Sequence, residues 1–242
     1  MKPASTPRRR VPVPARLLAE LVVIVLGVLI ALWVDNLNAE RLERQQEQAY
    51  LNGVLQDLGS DSAALDFRNE LARRGLHAAD QLLDLRDNSG STAPADSLSV
   101  WLFRVAFVDN FTAQDHTYRE ILGAGGLSLI RDPEIRRGIS DYYRSIESAA
   151  FFNDYYKGEE EDYWDLLAIR FQAEDFEAVT RTETAAGNLN VERILAQLRA
   201  DDEVANAILM NRHWTQLRLE ITDRRITANQ SLADALRAVL AK

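Results

Sequence analysis

An uninterrupted apolar run near the N-terminus is the strongest feature of the hydrophobic pattern. Leu17 to Val34 contains one charged residue, Glu20, and its apolar side chains would surround a helix rather than form one stripe. Such a helix spans roughly 27 Å, close to the thickness of the hydrocarbon core of a bilayer. No small-x-small cleavage site follows the run, and Trp33 stands where an interfacial aromatic anchors a span. We predict an uncleaved signal anchor, a single transmembrane helix over 17–34; a cleaved signal peptide is the alternative.

Beyond this span the apolar positions follow the spacing of amphipathic helices. The spacing i, i+3, i+4, i+7 is shown by Leu51, Val54, Leu55 and Leu58. It predicts a stalk helix over 35–58 that continues from the span and ends at Gly59, a plausible C-terminal cap. The "GSDS" that starts at Gly59 offers N-cap residues for a return helix over 62–87. Only Pro94 and Pro133 interrupt the chain after the first 14 residues, which favours long helices.

The middle of the chain is predicted to hold shorter helices. Residues 97–108 are assigned to a short helix, although their β-branched and aromatic content also suits a strand. Thr112 and Asp115 resemble a capping box that opens a helix to about Leu122. The glycine cluster at 123–126 then ends that helix; it lacks the G-K-[ST] sequence of a phosphate-binding loop.

Three further helix starts are marked by capping residues. Asp132 and Pro133 begin a helix that is expected to continue, with a kink near Gly158, to Phe171. Later caps are Asn190, for a helix to about Arg199, and Asp201 with Asp202, for a last helix of nearly 40 residues whose seam is Val204, Ile208, Leu217, Ile221, Leu232, Leu236 and Val239. The predicted fold class is therefore all-α, with one N-terminal transmembrane helix that continues into a bundle of long helices outside the membrane.

Charge gives the span a predicted orientation. The chain has a net charge of -9, yet its N-terminus is basic. The basic residues before the span are Lys2, Arg8, Arg9, Arg10 and Arg16. The positive-inside rule places a basic arm over 1–16 in the cytoplasm and an acidic domain over 35–242 in the periplasm. The strong preference for arginine over lysine is typical of a GC-rich bacterial genome, so we predict a bacterial inner-membrane protein. Its predicted interfacial anchors are Arg8, Arg9, Arg10, Arg16 and Trp33.

Composition also excludes several kinds of chemistry. The chain has no cysteine, so it forms no disulfide and offers neither a thiolate metal ligand nor a cysteine nucleophile. The acidic domain would repel nucleic acid and anionic lipid, and it would favour basic partners. We therefore expect no nucleic-acid partner.

Two separated segments carry a pattern that we compare with a known family. The matching residues are Tyr50, Leu51, Leu55, Asp57 and Leu58, then Thr117, Tyr118, Gly126 and Ile130, and finally the pair Tyr142 and Tyr143. With the anchor, these segments resemble an uncharacterised family of single-pass bacterial membrane proteins with a helical extracytoplasmic domain of unknown function. The resemblance implies the same topology, and it implies no reaction.

Few residues are candidates for catalysis or metal binding. None of the histidines, His77, His116 and His213, follows a glutamate by three positions, as a di-iron bundle requires. His116 and Glu120 have the i, i+4 spacing of two metal ligands on a helix, but a surface hydrogen bond or ion pair explains the same spacing. We expect no metal, no cofactor and no enzyme activity.

Two binding surfaces are predicted. Gly27 and Ala31 form a small-xxx-small pair on the same helix face as Glu20, where another transmembrane helix can approach closely. A face exposed to lipid is the alternative for this pair, and an ion pair with Arg16 near the cytoplasmic end of the span is the alternative for Glu20. An acidic docking patch is formed by Glu159, Glu160, Glu161, Asp162 and Asp165, which would bind a cation or a basic protein. A solvated helix face is the alternative there.

These features favour a non-catalytic accessory or scaffold subunit of an inner-membrane complex, with a respiratory or photosynthetic core as a candidate host. Its span would pack against other transmembrane subunits, and its acidic domain would cover the periplasmic face. The alternative is a membrane-anchored docking or sensing domain that binds a basic periplasmic protein, such as a c-type cytochrome, or a cation.

Overall fold

The computed structural model describes residues 13–107, 110–148, 151–180 and 189–241. Within these ranges the secondary structure is helical and contains no strand, which confirms the predicted all-α class. The helices are α1 (Val13–Asp87), α2 (Ala95–Arg104), α3 (His116–Gly123), α4 (Pro133–Ser148), α5 (Phe151–Arg170), α6 (Ala173–Thr180), α7 (Val191–Ala200) and α8 (Asp202–Leu240), with a 3-10 turn at Leu127–Leu129. The chain divides into two compact units, Met1–Ala49 and Tyr50–Lys242.

The first unit consists, where it is described, of the N-terminal part of α1. This is the one described helix that is long and apolar enough to cross a membrane, and none of its apolar window is buried within the protein. The helix already includes Val13, so the predicted start of the helix at residue 17 is wrong, whereas the boundary between arm and span stays a prediction. Pro14 is compatible with this start because the first turn of a helix needs no N–H donor from that position.

The predicted break after Leu58 is also wrong, because α1 continues without interruption to Asp87. Gly59 therefore does not end a stalk helix, and residues from Tyr50 onward belong to the second unit. Positive φ angles, which favour glycine, occur among the described residues at Gly125 and Gly126, where the turn after α3 was predicted. One stripe of α1 is buried on both sides of Gly59: Leu51, Val54, Leu58, Leu65, Ala78, Ala79 and Leu82.

Helix α8 lies antiparallel to the part of α1 in the second unit. Three side-chain hydrogen bonds fix this register: Arg212 Nε donates to Asp80 Oδ1 (2.6 Å), Asn69 Nδ2 to Asp223 Oδ1 (2.6 Å) and Asn229 Nδ2 to the carbonyl of Leu58 (2.9 Å). The predicted apolar seam of α8 is correct at both ends but not in the middle. There Leu217 and Ile221 are half-buried, and Asn211 and Thr215 lie among the buried residues instead.

Two apolar cores lie within the second unit. The larger contains Leu82, Leu98, Leu102, Tyr163, Leu167, Ile194, Leu198, Val204 and Ile208, from α1, α2, α5, α7 and α8. The smaller contains Val54, Leu58, Ile121, Ile130, Ile139, Tyr142, Tyr143, Leu232 and Leu236. The smaller core joins α1, α3, α4 and the end of α8. Fully burying one aliphatic side chain contributes about 1.5–3 kcal/mol, so these two clusters are the main source of the stability of this unit.

The predicted caps are mostly confirmed. Asp132 Oδ1 accepts from Glu134 N–H (2.9 Å) at the start of α4, and Asn190 and Asp201 cap α7 and α8. Residues 97–104 lie in a helix, α2, rather than in a strand, as predicted. The capping box at Thr112 is wrong, because α3 begins at His116. The single helix predicted from Asp132 to Phe171 corresponds to two helices, α4 and α5, of which α5 passes through Gly158 and ends at Arg170.

Candidate functional site

The first candidate surface is the face of α1 that carries small residues. A Cβ added at Gly27 would meet no atom within 4 Å, so nothing in the described chain fills the space beside this glycine. Glu20 and Ala31 are exposed on the same face, and Trp33 is 63% exposed. The predicted anchors Arg8, Arg9 and Arg10 lie outside the described residues, as does the side chain of Arg16. This face is therefore open to a lipid chain or to another helix.

The second candidate lies where the two motif segments meet. Two carboxylates one helical turn apart on α1 accept backbone N–H groups from the start of α3 and from the segment just before it. Asp57 Oδ2 accepts from Thr117 N–H (3.1 Å), and Asp61 Oδ1 accepts from Gln114 N–H (2.8 Å). Gly53 permits this approach, because a Cβ there would lie 2.7 Å from Thr117 Cγ2.

Asp61 also begins a buried hydrogen-bond chain to α4 and α8. The hydroxyl of Tyr142 donates to Asp61 Oδ2 (2.8 Å), and Asn229 Nδ2 lies 3.2 Å from the same hydroxyl, which can accept from it. Burial raises the pKa of Asp61, although the bonds from Gln114 and Tyr142 lower it. Burial also raises the pKa of Tyr142. Asp61, Tyr142 and Asn229 are at most 3% exposed, so this network holds three helices together rather than facing a substrate.

A cavity of about 410 Å³ lies next to this network. Its wall includes the rings of Tyr118 and Tyr143, which stack with centroids 4.4 Å apart and planes 12° apart. The hydroxyl of Tyr143 donates to the carbonyl of Gln114 (3.1 Å), which fixes that ring. The other lining residues are Phe111, Thr112, Ala113, Asp115, Arg119, Leu122, Ile146 and Glu147. The sequence motif pointed to Tyr118 and Tyr143, but not to a cavity.

The candidate metal ligands are placed on a helix as predicted but do not form a site. His116 and Glu120 are both exposed on α3. No group of three potential metal-ligating side chains occurs in the described ranges.

The predicted acidic patch does not form a single face. Successive residues of α5 are rotated by about 100°, which distributes the carboxylates around the helix. Glu159 and Glu160 are half-buried, and burial raises the pKa of Glu160 even though a hydrogen bond with Trp164 opposes this shift. Glu161, Asp162 and Asp165 are exposed, and Glu161 Oε1 lies 3.5 Å from Lys157 Nζ. The exposed part of the predicted patch therefore comprises three carboxylates.

Sequence reasoning missed a group of arginines packed against aromatic rings. The guanidinium carbons of Arg68 and Arg225 lie 5.5 and 5.6 Å from the centroid of the Phe111 ring. Arg218 lies 5.3 Å from the centroid of Tyr156. Burial lowers the pKa values of Arg218 and Arg225. The contacts of Arg218 and Arg225 attach α8 to its neighbours, and the contact of Arg68 attaches α1 to the same phenylalanine as Arg225. No periodicity in the sequence signals these contacts.

Comparison with known proteins identifies no relative of this chain. No family model, no curated protein and no solved structure matches the chain. The resemblance to an uncharacterised membrane family therefore stays a prediction.

Proposed function

We propose that this chain is a non-catalytic accessory subunit, or scaffold, of a bacterial inner-membrane protein complex. Its single span packs against transmembrane helices of other subunits, and its helical domain covers the periplasmic face of the complex. The observation that carries this proposal is the uncovered apolar part of α1, of which no residue in the apolar window is buried.

The small-residue face gives the span a means of recognising another helix. Lipid chains are as apolar as leucine, so helices associate in a bilayer through close packing and interhelical hydrogen bonds rather than through the hydrophobic effect. The open space at Gly27 permits a second backbone to approach, and Ala31 extends that surface by one turn. Glu20 on the same face supplies a polar group whose position in an apolar helix favours a protein partner.

The domain supports the same role by its construction. Its two apolar cores pack helices against each other, and the Asp61 network in the smaller core joins α1, α4 and α8. A domain of this kind presents a stable surface. Scaffold and docking roles need no more than such a surface.

The test is the size of the particle that contains this protein. Native membranes are solubilised in mild detergent and fractionated on a gradient, and the domain is detected with an antibody. We expect co-migration with a large assembly, whose other subunits mass spectrometry identifies. Migration of the wild-type chain as a monomer or small homo-oligomer would refute the scaffold role.

A matched pair of variants tests the packing face. Gly27→Leu fills the open space, and we expect it to release the chain from the assembly. Val25→Leu enlarges a residue about 160° around the helix and should leave co-migration unchanged. Equal behaviour of the two variants would contradict packing through Gly27.

Orientation is tested by single cysteines, because the natural chain has none. Ser5→Cys marks the arm, and Glu161→Cys marks an exposed position of α5. A membrane-impermeant maleimide applied to spheroplasts should label Glu161→Cys alone. Labelling of Ser5→Cys alone would reverse the proposed orientation.

A further inference from the structure

The cavity beside the stacked tyrosines has the size and composition of a small-molecule site. Its volume of about 410 Å³ lies within the range of about 300–1,000 Å³ that is typical of ligand pockets. Six of its ten lining residues are aromatic or aliphatic, including Phe111, Leu122 and Ile146, and the other four are Thr112, Asp115, Arg119 and Glu147. An apolar wall with a few polar groups favours a ligand that has an apolar body and one polar end.

The charges around this cavity favour a cationic end. Two carboxylates, Asp115 and Glu147, and one cation, Arg119, belong to the wall. Arg119 Nε already binds Asp115 Oδ2 at 2.7 Å, whereas Glu147 forms no ion pair within the described parts of the chain. Among the described residues, the wall therefore has one carboxylate, Glu147, without a cation paired to it.

The electrostatic potential at the Tyr143 hydroxyl is negative as well. Burial is the largest cause of the raised pKa of the Tyr143 hydroxyl, and the charges of Asp57, Asp61 and Asp115 raise it further. Negative charge that disfavours a tyrosinate at this position disfavours any anion there and favours a cation.

Aromatic rings add an attraction of the same sign. The faces of aromatic rings are negative, so an ammonium group within about 6 Å of a ring centroid is attracted to it. Tyr118, Tyr143 and Phe111 all contribute to the wall. We propose that this cavity binds a small organic ammonium ion, with its apolar body against Leu122 and Ile146 and its charge near the tyrosine rings and Glu147. This site is independent of the scaffold role.

The test compares three probes with the same phenyl body and different charge. The full chain is reconstituted in phosphatidylcholine nanodiscs and titrated by calorimetry with 2-phenylethylammonium, 2-phenylethanol and phenylacetate, with empty nanodiscs as the blank. We expect the ammonium ion to bind at least about tenfold more tightly than the alcohol, and phenylacetate not to bind. Equal affinity for all three probes, or no binding of the ammonium ion, would overturn the proposal.

Variants of the wall test where the ammonium ion binds. Ala113→Phe fills the cavity and should weaken binding by more than about tenfold. Glu147→Gln removes the unbalanced charge from the surface of α4 and should weaken binding about two- to fivefold. Asp162→Asn, an equivalent change at an exposed site on α5, should leave the affinity unchanged.

Circular dichroism and thermal unfolding establish that each variant is folded. If Ala113→Phe does not fold, the comparison of Glu147→Gln with Asp162→Asn decides the question. Equal affinities of these two variants, or binding that persists in a folded Ala113→Phe, would refute the assignment to this cavity.

Discussion

Removal of the Asp61 carboxylate tests whether the motif residues hold the smaller core together. Asp61→Ala deprives two donors of their acceptor at once: the backbone N–H of Gln114 and the hydroxyl of Tyr142. The hydroxyl belongs to a residue that is 3% exposed, so water does not readily replace the lost acceptor. Each unsatisfied buried donor costs about 1–3 kcal/mol. We expect a loss of about 2–5 kcal/mol in the free energy of unfolding.

The pH dependence of a second variant, Asp61→Asn, provides a sharper test. Burial raises the pKa of Asp61 in the folded state above the unfolded value near 3.8. Between these two pKa values the folded state binds more protons than the unfolded state, so wild-type stability rises as pH falls through that window. Asparagine cannot titrate. The cost of Asp61→Asn should therefore increase as pH falls from 7 towards 4, whereas a salt-bridged carboxylate would show the opposite trend.

The assay is urea unfolding of the full chain in detergent, followed by the fluorescence of Trp101, Trp164 and Trp214 at several pH values. Asp66→Asn is the control, because Asp66 is exposed on the same helix. It should change stability by less than about 0.5 kcal/mol. A loss below about 1 kcal/mol for Asp61→Ala, or a cost of Asp61→Asn that shrinks at low pH, would refute the reasoning.

Two further predictions concern close packing and a buried hydroxyl. Gly53→Ala should destabilise the domain by about 1–3 kcal/mol, because the added Cβ would lie 2.7 Å from Thr117 Cγ2; Gly59→Ala, in open space on the same helix, should stabilise it by about 0.5–1 kcal/mol. Urea unfolding checks both, and equal effects of the two changes would contradict the packing argument. Tyr163→Phe should cost about 1–3 kcal/mol, because the hydroxyl donates to the carbonyl of Leu102 (2.8 Å) near the end of α2. Thermal unfolding checks it, and an unchanged midpoint would exclude a stabilising role for this bond.

Local signals in the sequence were reliable where the neighbouring backbone alone determines the structure. Asp132, Asn190 and Asp201 cap the helices that they were predicted to cap, because each accepts N–H groups two or three residues away. The turn at Gly125 and Gly126 belongs to the same class, since its positive φ angles suit glycine.

Local capping signals gave wrong predictions where a residue forms its hydrogen bond with a distant segment instead of with its neighbours. Gly59 and Asp61 suggested a helix end and a new N-cap, yet Asp61 accepts the N–H of Gln114, 53 positions away. The buried stripe of α1 continues past this point, and its packing outweighs the cost of about 1 kcal/mol for a glycine inside a helix.

One candidate site could be predicted from the local sequence, and the other could not. The apolar helix that contains Gly27 and Ala31 follows from composition, and the structure leaves that face uncovered. The cavity beside Tyr118 and Tyr143 depends on three-dimensional packing between segments far apart in the chain, which periodicity does not encode.

The hydrogen bond between Asn229 and the carbonyl of Leu58 joins residues 171 positions apart. This separation determines how late during synthesis the smaller core can form. Ribosomes add about 5–20 residues per second, so the buried stripe of α1 is made roughly 10–35 s before the segment of α8 that covers it. During that interval Leu51, Val54 and Leu58 lack part of their native partners. A chain that stops before residue 229 lacks Leu232 and Leu236 and never completes the smaller core. Formation of this core therefore depends on synthesis of the last helix.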